Sequence, residues 1–115
     1  MRTSGEAFWW SLFAAGGVLA ALFIPVFALL TGFMLPFSGA DRAEQFARVH
    51  GVVGWWPVRL LLLVVIGLTF FHCAHRIRHV VMDLGVHGAD RALATVCYGG
   101  ALLGTLAAVV VVFRL

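Results

Sequence analysis

The sequence contains no lysine, and only 11% of its 115 residues are charged. A soluble domain carries about 25% charged residues, spread over its surface. Here eight arginines and five acidic residues are bunched, and long stretches carry no charge at all. That excludes a water-soluble fold, and with it the nucleic-acid partner that a net charge of +3 would otherwise bring to mind. The two cysteines, Cys73 and Cys97, lack CxxC spacing, which removes a disulfide or thiolate-metal framework. Both are expected to be small apolar fillers. A secretory leader of ordinary form is also missing. The uncharged region after Glu6 far exceeds the ~7–15 residues of a leader core, so it is expected to be a retained helix. No segment repeats, and no stretch is left over for a soluble domain.

What is present is apolar: 63% hydrophobic residues and a mean hydropathy of +1.03. About 20 apolar residues cross a bilayer core, and the chain offers three such segments. The expected fold is an all-α integral membrane domain spanning 1–115, with transmembrane helices at about 8–35, 52–74 and 91–113. The first segment, Ala7 to Leu35, would be roughly 44 Å long as a helix against a core of ~30 Å. It must tilt, bend or project, and Pro25 is the expected bend. Ser4 or Gly5 is the expected cap, with Glu6 in the first turn. Trp9 and Trp10 suit the headgroup region. Ala14 to Gly17, with Ala20 and Ala21, forms a small-residue strip for close helix approach.

Asp41 to His50 reads as a short interfacial helix in the first loop, with Asp41 as N-cap and Glu44 three residues on. Trp55, Trp56 and Pro57 form the entry belt of the second span, and Arg59 is near enough to that end to snorkel. No breaker follows Phe71. The second helix should therefore continue to about Leu84, beyond the bilayer, with Gly85 as its C-cap. Asp90 is the expected N-cap of the third helix, where Gly100 and Gly104 make a GxxxG.

Arg2, Arg76, Arg78 and Arg91 fall on the N-terminal side, against Arg42, Arg48 and Arg114 on the other, with Arg59 near the latter. The positive-inside bias is therefore weak, and only the free amino group tips the N-terminus towards the cytoplasm. Alternating spans are more informative. They bring the start of the first helix, the end of the second and the start of the third to one membrane face, so Trp10, Phe13, His75, Arg76 and His79 should all lie near that face.

The second helix ends in His72-Cys73-Ala74-His75-Arg76-Ile77-Arg78-His79, three histidines and two arginines in eight residues. The bland function is a basic edge that binds lipid phosphate, and for Arg78 this suffices. Haem ligation would need imidazoles from two helices, yet the first and third spans contain no histidine. A second ligand would have to come from a partner subunit. His75 and His79 lack the third ligand and the glutamate of a zinc site. A quinone site needs donors just outside the hydrocarbon, a flat apolar slot and lipid access. Histidine donates to a carbonyl or accepts a proton, arginine stabilises reduced oxygens, and tryptophan adds a neutral donor. His75 and Arg76 with Trp10 meet that requirement.

Two blocks carry a family resemblance. Ala7-Phe8-Trp9-Trp10-Ser11-Leu12-Phe13-Ala14-Ala15-Gly16-Gly17, with Ile24-Pro25-Val26 and Leu35-Pro36, resembles the first helix of the fumarate reductase D subunit, a hydrophobic membrane anchor. His75-Arg76-Ile77-Arg78-His79, followed by Met82-Asp83-Leu84 and His87, resembles the end of that family's second helix. The resemblance implies a non-catalytic, multi-pass anchor in the bacterial inner membrane, with its N-terminus cytoplasmic. Implied partners are a second three-span anchor subunit, an iron–sulfur subunit and a flavoprotein subunit. It further implies menaquinone bound jointly with those partners, no haem, and flavin and iron–sulfur clusters outside this chain. Quinone-binding residues would be Trp10, Phe13, His75 and Arg76. Ala14 departs from an expected glycine, and Arg78 and Met82 from expected histidines; these, with His72, are not carried over. A haem-ligating anchor of a succinate dehydrogenase-like complex and a purely structural anchor are the alternatives.

Overall fold

The computed structural model describes residues 4–115, apart from the side chain of Ser4. Arg2, one of the charges on the N-terminal side, lies outside the described residues. Helix α1, Ser4–Leu29, passes without interruption through Pro25. The irregularity of the first span comes later than Pro25, as a π-helical segment, Leu30–Met34. There Leu35 N–H donates to the Leu30 carbonyl at 2.9 Å, skipping one residue more than an α-helix does. One turn before, the Thr31 hydroxyl donates to the Phe27 carbonyl at 2.7 Å, competing for an acceptor of the helical ladder. Ser4 and Gly5 already belong to the helix, so neither flanks it as a cap.

Helix α2, Arg42–Gly54, is longer than the sequence suggested, and Val52 to Gly54 belong to it and not to the second span. Trp55 breaks the chain between them with an extended backbone, and α3, Trp56–Asp83, starts with Pro57 in its first turn, where a missing N–H costs nothing. At the other end of α2 the Asp41 carboxylate accepts from Glu44 N–H at 2.8 Å. The reciprocal half of a capping box is absent, because Glu44 pairs with Arg48 one turn on. Asp41→Ala should cost about 1 kcal/mol and speed hydrogen exchange at the Glu44 amide about fivefold in the solubilised protein. Unchanged exchange there would show that the cap does not hold α2.

The 28 residues of α3 make a helix roughly 42 Å long, which projects beyond a hydrocarbon core of ~30 Å. It ends in a Schellman turn. Gly85, at φ +97°, donates to Met82 O at 2.9 Å and Val86 to Val81 O at 3.4 Å. Helix α4, Asp90–Arg114, follows directly. All three long helices are apolar enough to cross a membrane.

Helix α3 is the middle of the bundle, packed by α1 on one side and α4 on the other. The closest approach is made by α1 at Gly16, which faces the Leu68 carbonyl and the His72 Cβ; Gly17 faces the His72 ring. This is where the small-residue strip acts. On α4, Gly104 receives the Phe70 ring, whereas Gly99 and Gly100 face open space, so only half of the GxxxG is used within this chain. Among the described residues only Gly16, Val65, Ala74 and Val112 are buried. In water that would be a failed fold. In lipid the exposed leucines, valines and phenylalanines are correctly solvated, and interhelical packing supplies the cohesion. Cys73 is exposed and Cys97 half-buried, both as free thiols, so Cys73 is not the packed filler expected of it.

Candidate functional site

Because α1 and α4 flank α3 without closing over it, a groove runs between them. At the end where α1 begins, the groove deepens into a cavity of about 830 Å3. Ligand sites for drug-sized molecules fall at about 300–1,000 Å3. Helix α1 supplies Glu6, Trp9, Trp10 and Phe13; α3 forms the floor with Gly67, Phe71 and His75. Tyr98, Ala101, Leu102 and Thr105 close the far wall from α4. Gly67 lies opposite Thr105 across the contact between α3 and α4.

His75 is the polar centre of this apolar enclosure. Its ring lies 4.6 Å from Phe13, 5.8 Å edge-on to Trp10 and 6.4 Å from Phe71, centroid to centroid. On the outer side, His79 approaches to 4.3 Å. His75 Nδ1 shares a hydrogen bond of 2.8 Å with the Tyr98 hydroxyl. Trp10 packs edge-on against Phe13 as well, at 5.8 Å, so α1 presents a preformed aromatic corner.

His72, one turn before His75, joins two helices. It stacks on Phe13 at 4.4 Å, nearly parallel, and its Nδ1–H donates to the Phe13 carbonyl at 3.0 Å. It is half-buried and ties α1 to α3. Arg78 is not a free lipid contact. Its Nε and a terminal nitrogen both donate to Asp90 Oδ1, at 2.9 and 2.6 Å, while its guanidinium carbon sits 5.9 Å from the Tyr98 ring centre. Asp90 therefore lies within the first turn of α4 as Arg78's acceptor, and Ala89 takes the N-cap position without a side-chain bond. The pair braces the end of α3 against the start of α4. Since Asp90 is 42% exposed, the brace is worth about 1 kcal/mol. Asp90→Asn should lower the melting temperature of the solubilised protein by a few degrees, about 1 kcal/mol in all. Arg78→Gln added to Asp90→Asn should cost only about 0.5 kcal/mol more, from the lost contact with the Tyr98 ring. A second drop of equal size would mean that Arg78 is held by something else.

Of the residues picked out from sequence, Trp10, Phe13 and His75 meet at the cavity. Arg76 does not: it is exposed, lines no part of the cavity and, among the described residues, makes no hydrogen bond or ion pair. Tyr98 is the residue that sequence reasoning missed. It is the only tyrosine in the chain and sits in the otherwise apolar third span, which was the available signal. Glu6 at the mouth and Phe71 on the floor were also passed over. Arg59 Nε–H donates to the Val53 carbonyl at 3.1 Å, across the break between α2 and α3.

The chain has known relatives. The family model for the D subunit of fumarate reductase matches residues 1–113. The chain belongs to that family. The fumarate reductase D subunit of Mycobacterium tuberculosis strain H37Rv is 40% identical over 109 residues, 93% of this chain and 86% of the relative. That of Mycobacterium bovis strain BCG Pasteur matches to the same extent. The fumarate reductase D subunit of Photobacterium profundum is 34% identical over 116 residues, covering 99% of this chain and 95% of the relative. Membership of this family and three helices able to span a membrane make the chain a multi-pass membrane-anchor subunit of a fumarate reductase.

Proposed function

We propose that this subunit binds the head group of menaquinol in the cavity at His75, within a complex whose chemistry is completed by other chains. The observation that carries the reading is the imidazole of His75 set among Trp10, Phe13 and Phe71 in an apolar cavity. A quinol head group needs a flat slot, one hydrogen-bonding group at its end and a lateral exit for an isoprenoid tail. Trp10, Phe13 and Phe71 supply the slot and His75 the polar group. The groove between α1 and α4 gives the tail a way into lipid. Once bound, menaquinol supplies two electrons and two protons. What this chain's residues contribute is orientation of the ring, exclusion of water by the aromatic walls, and a hydrogen bond with His75.

On this reading the subunit is not catalytic alone. It holds an iron–sulfur subunit and a flavoprotein subunit at the bacterial inner membrane, together with a second three-span anchor subunit. Flavin and clusters reside in those partners, and the N-terminus faces the cytoplasm. The exposed Arg76 stands on the outer side of α3, next in sequence to His75, where it would meet an adjoining subunit and complete the site from there. The test is to compare fumarate reduction driven by quinol with reduction driven by an artificial dye, in the intact membrane-bound complex. Changes to cavity residues should depress only the first. A b-type haem spectrum in the purified complex that vanishes in His75→Ala would overturn the reading in favour of a haem-bearing anchor.

A further inference from the structure

We propose that Tyr98 is a positioning residue for His75, and that its hydroxyl lets the imidazole offer the cavity either a donor or an acceptor. The inference rests on the reading of the cavity as a quinol site and goes one residue beyond it. A neutral imidazole has one N–H and one lone pair. With Nδ1 engaged by the Tyr98 hydroxyl at 2.8 Å, only Nε2 remains for a ligand.

The two redox forms of a quinone make opposite demands on that nitrogen. A quinol brings an O–H and needs a lone pair at Nε2; Nδ1 then holds the proton and donates it to the Tyr98 oxygen. A quinone brings a carbonyl and needs Nε2–H; the Tyr98 O–H then donates to Nδ1. The two arrangements differ only in which ring nitrogen carries the proton, and neither makes or breaks a bond in the ligand. A phenol serves both because it donates and accepts, whereas a carboxylate or a backbone carbonyl only accepts.

His72 provides the contrast within the same helix. Its Nδ1 faces the Phe13 carbonyl, which fixes one tautomer and leaves it no such choice. Tyr98 is also held in place independently of His75. Arg78, locked on Asp90, covers its ring, and the Gly104–Phe70 contact fixes α4 against α3 further along. The hydroxyl is thus delivered to His75 by the framework.

The experiment measures dissociation constants of a short-chain menaquinone and of its quinol for the intact complex. Tyr98→Phe should weaken both by about three- to tenfold, the effect of one hydrogen bond, with dye-driven fumarate reduction unchanged. In a His75→Ala background the same change should have no further effect, because Tyr98 acts through His75. The second variant keeps the shape of the side chain: 3-fluorotyrosine at position 98 is a better donor and a poorer acceptor. It should tighten quinone binding and weaken quinol binding. Equal weakening by Tyr98→Phe in the presence and absence of His75 would overturn the proposal, as would a fluorotyrosine shift of the same sign for both ligands. If His75→Ala leaves quinol-driven turnover intact, the quinol site itself fails. If His75→Ala slows turnover and Tyr98→Phe changes neither constant, only the role of Tyr98 fails.

Discussion

His75→Ala should lower quinol-driven fumarate reduction about a hundredfold in the assembled complex while dye-driven reduction persists. A positioned histidine that exchanges a proton with a reacting group typically contributes 10²–10⁴-fold, and among the described residues His75 offers the sole imidazole lining the cavity. The substitution removes the group that orients the head group, together with the partner of the Tyr98 hydroxyl. It removes the ring contacts with Trp10 and Phe13 but leaves the hydrogen-bonded tie between α1 and α3, which is made by His72 with Phe13. The assembled complex should therefore be recovered in the membrane fraction. Two outcomes would tell against the assignment: undiminished quinol turnover, which leaves a purely structural anchor, or parallel loss of both activities, which indicates failed assembly. His72→Ala is the informative companion. It should weaken assembly more than it weakens turnover per assembled complex.

Gly16→Ala should be the most damaging small substitution in the chain. A methyl group there would lie 2.6 Å from the Leu68 carbonyl oxygen and 3.1 Å from His72 Cβ. The first of these is backbone, which cannot swing aside, so α1 must withdraw from α3. Overpacking of this kind costs about 1–3 kcal/mol, and a backbone obstacle puts it at the upper end. The withdrawal also carries Trp10 and Phe13 away from His75, so turnover with quinol should fall along with thermal stability. Gly17→Ala should cost less, since its methyl meets the His72 ring at 2.7 Å, a side chain that can shift where backbone cannot, at the expense of its contacts with Phe13. Gly100→Ala, facing open space, should leave the isolated subunit's stability unchanged. Melting temperatures of the three variants in detergent test the order. Equal losses at Gly16 and Gly100 would mean that the close approach to Leu68 is not what positions α1.

The spans were legible because lipid imposes a simple rule, long uncharged segments, that composition alone satisfies. The meeting of Trp10, Phe13 and His75 was legible for a related reason: three alternating spans leave little choice about which helix ends share a face. What escaped was set by side-chain partners. Asp90 reads as an N-cap by residue type, yet an arginine near the end of α3 competes for it and wins. Val52 to Gly54 read as membrane entry by hydropathy, yet the extended Trp55 leaves them on α2. Arg76 follows His75 in sequence, but neighbours on a helix point about 100° apart, and only His75 turns inwards. Tyr98 stood out as the lone tyrosine of an apolar span, but its partner did not, because the hydrogen bond to His75 crosses 23 residues of chain.

The central place of α3 has a consequence for how substitutions combine. Helices α1 and α4 each dock on it but scarcely on each other, so the subunit behaves energetically as two joints sharing one axle. Losses at the Gly16–Leu68 joint and at the Gly104–Phe70 joint involve no common partner and should simply add. His75 bridges them, held by Phe13 and Trp10 on one side and by Tyr98 on the other. Phe71 makes a second bridge, between Trp9 and Tyr98, so epistasis between α1 and α4 should pass through these two rings and weaken when the imidazole is removed.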